Sequence, residues 1–173
     1  MKPYHKFILV ILFLNLSVTA FAQITSDTTR INFIKTQYAE INRNLNLYKK
    51  VVKTDTTETT EGNEILLYYN GSEIKKITVT YYGETGKVLD EFYFFNNKLI
   101  FCYCTDYHYD ASINSTKGKV KVVSTTEERF YLHDGKIFLV KKRPAHSDYF
   151  SEFPVDPGKE AKRLIQLKGS YKN

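Results

Sequence analysis

Tryptophan is absent from this 173-residue chain, methionine occurs once, and cysteine only twice, at Cys102 and Cys104. Two cysteines cannot build the dense disulfide framework of a small secreted scaffold. Their spacing also argues against a bond between them. Residues i and i+2 of a strand have Cα atoms about 6.5–7 Å apart, at the limit of disulfide reach. The eight glycines are scattered, and they form neither a phosphate-cradling pattern nor a nucleophile elbow. No nucleic-acid-binding motif occurs. There is no block of one charge: the net charge of +6 comes from lysines spread among acids. That reads as a solvated basic surface with weak attraction for anionic polymers or lipid headgroups.

The one long apolar run stands at the start. Lys2 and Lys6 precede the stretch Phe7 to Ala20, and Ala20-Phe21-Ala22 has the form of an Ala-x-Ala cleavage site. This predicts a secretory signal peptide over residues 1–22 and an exported mature chain, Gln23 to Asn173, periplasmic or secreted. The run is short for a membrane span, and none follows, so no transmembrane segment is expected in the mature chain. Gln23, and not a cysteine, stands immediately after the cleavage site, which argues against a lipoprotein anchor. Residues 23–173 are expected to form a single domain.

What the chain has in quantity is aromatic and β-branched residues, including 14 tyrosines and 12 phenylalanines. These favour strands. Before them, Ile31, Ile34, Tyr38, Ile41, Leu45, Tyr48 and Val52 recur at steps of three and four. This predicts a long amphipathic helix from Ile24 to Lys50, capped by Ser26 or Asp27 and laid on a sheet. Thr54 to Asn63 is polar and could hold an edge strand and a turn. Strands are then predicted at Glu64–Tyr69, Glu73–Tyr82, Val88–Phe95 and Lys98 to about Tyr109, with another leading from Val120 to Phe130. Asn70-Gly71, Gly83 to Gly86 and Asn96-Asn97 supply turns. Ile74 lies out of phase with Ile77, which requires either a bulge near Lys75 or a longer turn. Asp156-Pro157 starts a short helix running to about Leu167. The expected fold is α+β: the long helix on a six- to seven-stranded antiparallel meander, then the short helix.

The stretch Asp90 to Cys104 forms a hairpin whose pattern returns at Glu128 to Val140. Two-residue turns would pair Phe92 with Phe101 and Phe130 with Leu139. Phe92, Phe94, Leu99 and Phe101 then share the helix-covered face with Phe130, Leu132, Ile137 and Leu139. Cys102 and Cys104 fall on the opposite face, beside Glu91 and Tyr93.

The segments YYNGSEIKKI, YYGETGK and EFYFFNNKLIF resemble MORN-variant repeats, in which aromatic pairs precede a turn and a Lys-Leu step. The layout is also similar to that of small exported bacterial proteins of unknown function. The resemblance covers about Leu66 to Leu139, with a spacing that departs from a regular MORN period. It implies a β-hairpin array serving as a binding scaffold, and it carries no catalytic residue.

Two constellations could carry function. An aromatic sheet face with Tyr93, Glu91 and Tyr131 would suit a protein, peptide or glycan partner, because tyrosine joins apolar area to a polar tip. Alternatively, Cys102, Cys104 and His108, alternating along one strand with Asp106, could hold zinc or copper. Their spacing matches no standard closed site, and buried cysteines are commonly plain core residues. No catalytic residue or cofactor is otherwise indicated; a non-catalytic exported binding or structural module leads, and a hydrolase ranks last. His133 beside a turn and the lone His146 read as solvated.

Overall fold

Alternating side chains become seven strands in the computed structural model, which describes residues 26–53, 55, 63–115, 119–143 and 156–167. The strands are β1 (Lys49–Lys53), β2 (Asn63–Asn70), β3 (Glu73–Gly83), β4 (Gly86–Phe95), β5 (Lys98–Tyr109), β6 (Val122–His133) and β7 (Lys136–Arg143). They form one antiparallel sheet in sequence order, so each strand pairs with its neighbour in the chain. Helices α1 (residues 26–43) and α2 (Pro157–Gln166) make the fold α+β. Residues 1–22, expected to form a signal peptide, most of Thr54–Asn63, and His146 lie outside the described residues.

The first helix is shorter than its periodicity suggests. It ends at Arg43, followed by a 3-10 turn at Leu45–Leu47 and then β1. Leu45, Tyr48 and Val52 keep helical spacing, but Asn42, Asn44 and Asn46 favour breaks, since their amides compete for backbone groups. Val51 and Val52 pair instead with Leu67 and Leu66 of β2. Sheet pairing thus overrides the stripe. A boundary between two compact units falls after Thr36. In the first unit Arg30 pairs with Asp27 at 3.0 Å. The second unit holds the sheet, α2 and residues 37–43, where Ile41 is buried and Tyr38 packs on Tyr93 and Phe101.

Three hairpins share one irregularity. Their two-residue turns are Gly71-Ser72, Asn96-Asn97 and Asp134-Gly135. Both residues of the last two turns have positive φ, the type I′ geometry that suits strand twist. The first turn falls one residue later than expected, with Gly71 at φ 60°. After each turn, the third residue of the returning strand is passed over by the pairing. Tyr69 and Tyr68 face Ile74 and Lys76, skipping Lys75. Phe94 and Tyr93 face Leu99 and Phe101, skipping Ile100. Leu132 and Tyr131 face Ile137 and Leu139, skipping Phe138. These are β-bulges, each of which advances the strand's phase by one residue.

The bulges correct the expected faces. Phe92 lies opposite Cys102, not Phe101, and Phe130 lies opposite Val140, not Leu139. Cys102 and Cys104 therefore join the main core with Ile65, Leu67, Ile77, Val79 and Phe92. Phe101 and Leu139 go to the other face with Tyr93, Glu91 and Tyr131.

Helix α2 closes the core. Asp156 accepts hydrogen bonds from the amides of Gly158 and Lys159 at 3.0 and 3.1 Å, and Pro157 opens the first turn. Ala161 and Leu164 then enter the thiol-bearing cluster; burying a leucine side chain contributes roughly 1.5–3 kcal/mol. Gly86 marks a tight crossing, since a Cβ there would stand 2.3 Å from the Tyr107 carbonyl oxygen.

Candidate functional site

Strand parity and the bulges sort the chemically active residues onto two faces. The aromatic face carries Tyr93, Phe101, Tyr103 and Tyr131, with ring centroids 4.9 Å apart between Phe101 and Tyr131. Tyr93 is 0% and Tyr131 5% exposed, so both are core residues. Around Tyr93 runs a closed polar network. Asn42 donates its Nδ2 to the Tyr93 hydroxyl at 3.2 Å, and that hydroxyl donates to Glu91 Oε1 at 3.2 Å. Lys76 donates to Asn42 Oδ1 at 2.9 Å, pairs with Glu91, and lies 4.7 Å from the Tyr93 ring centroid. Burial, with the Glu91 charge adding to it, pushes the Tyr93 phenol above its ordinary range. Glu91 and Tyr93 thus serve the interior.

Accessible parts of this face are different residues. Tyr103 and Tyr107 are half-buried, with the Arg129 guanidinium 5.0 Å and the Lys87 ammonium 5.1 Å from their ring centroids. At the β1–β2 end a cleft of about 620 Å³ opens beside the end of α1. Tyr48 and Tyr68 form its aromatic wall, Asn42 and Asn46 supply amides, and Arg43 and Lys50 supply positive charge. No carboxylate lines it among the described residues. The tyrosine content points to such a wall, but the helical spacing of Leu45, Tyr48 and Val52 hides that Asn46 and Tyr48 lie beyond the end of α1.

The thiol face is sealed. Cys102 and Cys104 are fully buried, with Sγ atoms 3.5 Å apart and no disulfide. Burial raises the Cys102 pKa; contact with Cys102, then burial, raises that of Cys104. Both are held as thiols, the inert form. Asp90 stands between Val79 and Cys104, fully buried, and neither carboxylate oxygen has a hydrogen-bond partner among the described residues. Burial drives its pKa up to about 7, against a partial offset from the Cys104 thiol. Asp90 is a core residue that its type conceals: its parity with Phe92 along β4, which no bulge interrupts, places it in the core.

His108 does not reach the thiols. It lies four positions along β5 from Cys104, about 13 Å at strand rise, and its Nε2 sits 3.2 Å from Asp106 Oδ2. Among the described residues, no three His, Cys, Asp or Glu side chains gather in a geometry for a metal ion. His133 pairs with Asp134 at 3.0 Å beside its turn. On α2, burial opposes ionisation of Glu160, but hydrogen bonds from Arg163 and Tyr81 outweigh it and hold Glu160 below the usual range. Arg163 also pairs with Asp55, tying the helix to the segment after β1.

Compared with known proteins, the chain matches no family model, no curated protein and no solved structure.

Proposed function

We propose that this chain is an exported, non-catalytic binding module whose working surface is the accessible end of its aromatic face. The leader over residues 1–22 supports export, with cleavage near Ala22-Gln23 to a periplasmic or secreted mature form. Among the described residues, no helix is long and apolar enough to cross a membrane.

The observation that carries the binding reading is the cleft beside Tyr48 and Tyr68. Its volume of about 620 Å³ falls within the range of small-ligand sites. Tyrosine rings offer apolar platforms for the C–H faces of a sugar. The Asn46 amide matches a hydroxyl group, and Arg43 and Lys50 favour a carboxylate. The partner class that fits best is an acidic glycan, with uronic-acid oligosaccharides as the practical probe.

The test is a calorimetric titration of the mature protein with a uronic-acid oligosaccharide and its neutral counterpart. Saturable binding of the acidic sugar is expected, weakened about tenfold or more by Tyr68→Ala, the loss of one aromatic platform. Equal affinity for both sugars, or an unchanged Tyr68→Ala variant, would overturn the reading.

A further inference from the structure

Edge strand β1 turns Lys49, Val51 and Lys53 toward the face covered by α2, opposite to Lys50. There a second cavity, of about 450 Å³, lies between β1, the β2–β3 turn and the end of α2. Its composition is divided. Val51, Ile165 and Leu167 form an apolar wall; Lys49, Lys53 and Ser72 form a polar mouth. No acid lines it among the described residues.

The two lysines play different parts. Lys53 is buried, and its ammonium donates to the carbonyls of Leu164 and Ile165 at 3.2 and 2.8 Å. Those carbonyls are the negative end of α2, so the cation caps the helix. They are neutral groups, however, and they leave the ammonium without a full countercharge there. Burial accordingly lowers the Lys53 pKa. Lys49 is exposed at the rim, and no described carboxylate pairs with it. The cavity therefore combines two positive charges, a hydroxyl and an apolar wall in one space.

We propose that this cavity binds a small amphipathic anion, a monocarboxylate on a short apolar chain. The carboxylate sits at the mouth, accepting from Lys49 and from the Ser72 hydroxyl with Lys53 beneath it. The chain lies along Val51, Ile165 and Leu167. Charge-assisted bonds from two lysines set the head-group preference, and removal of the tail from water supplies the rest. This site lies across the sheet from the Tyr48–Tyr68 cleft and does not depend on it.

The probe is sodium octanoate, titrated into isotopically labelled mature protein and followed by amide chemical shifts. Saturable shifts are expected at Lys49 to Lys53, Ser72 and Ile165. Acetate, with the head alone, and octanol, with the tail alone, should each bind about tenfold more weakly or less. Lys49→Gln, at an exposed position that leaves the α2 cap intact, should weaken octanoate about tenfold; Ile165→Ser should weaken it severalfold while leaving acetate unchanged. Shifts that never saturate, octanol binding as tightly as octanoate, or an unaffected Lys49→Gln variant would each overturn the proposal. Tyr68→Ala, which disables the other cleft, should leave octanoate binding unchanged.

Discussion

The two faces of the sheet handle buried charge in opposite ways. On the aromatic face, buried Lys76 pairs with half-buried Glu91, and Asn42 and Tyr93 satisfy what the ion pair leaves over. Charge survives there because each group has a partner. On the thiol face, Asp90 is buried beside Val79 and two thiols, with no N–H or O–H donor among the described residues and only the weak Cys104 thiol near it. Charge is suppressed there, and the carboxyl titrates near neutrality. The first arrangement depends on geometry and the second on protonation, so they should respond to different perturbations.

Inserting one residue between Phe101 and Cys102 attacks the contrast at its root. With Phe94–Leu99 and Tyr93–Phe101 held by the turn, the inserted residue takes the place opposite Phe92 and the residues of β5 beyond it change face, moving Cys102 and Cys104 out from under α2. The expected result is loss of cooperative unfolding and rapid reaction of both thiols with a thiol-specific dye. In the native protein those thiols should stay unreactive. An insertion variant that unfolds cooperatively with shielded thiols would show that a second bulge absorbs the added residue.

Lys76→Met breaks the aromatic face alone. It leaves Glu91 half-buried without its cation, and denaturant unfolding should show a loss of about 3–5 kcal/mol. Loss below 1 kcal/mol would mean that the network is solvated.

Asp90→Asn sharpens the other half. An aspartate titrates at 3.8 unperturbed and near 7 at this position. Between those values the folded chain holds a proton that the unfolded chain has released. Stability from this group is therefore present at the acid end and lost as pH rises toward 7. From pH 5 to pH 8 the wild type should lose about 3 kcal/mol more than Asp90→Asn does, measured by urea unfolding at both values. Parallel pH profiles for the two proteins would place Asp90 in a solvated or partnered setting.

The same bulge recurs in three hairpins, yet only one of them is readable from the chain. Lys75 and Lys76 are polar between Ile74 and Ile77, so the break in alternation is plain. Ile100 lies in Leu99-Ile100-Phe101, and Phe138 in Ile137-Phe138-Leu139. There the extra residue is itself apolar, and an apolar run conceals a change of phase. The meander, the Asn96-Asn97 and Asp134-Gly135 turns and the Asp156-Pro157 cap were legible, because each rests on local chemistry; the first turn falls one residue beyond Asn70-Gly71. The end of α1 was not, since Leu45, Tyr48 and Val52 suit a helix until β2 offers pairing. For the same reason the cysteines stood out by type, whereas their core position depended on a hidden bulge; the burial of Asp90 follows from its parity with Phe92 along β4, and its charge concealed it.

The ammonium of Lys53 and the carbonyl of Leu164 that it caps are 111 residues apart in the chain, while every strand pairs with its immediate neighbour. That contrast has a meaning in time. Hairpins close over short loops and are expected to form early; docking of α2 joins distant segments and is expected to come last. Until it docks, Cys102 and Cys104 belong to an uncovered sheet. In an oxidising compartment the two thiols would be exposed only during that interval, and the final helix sets its length.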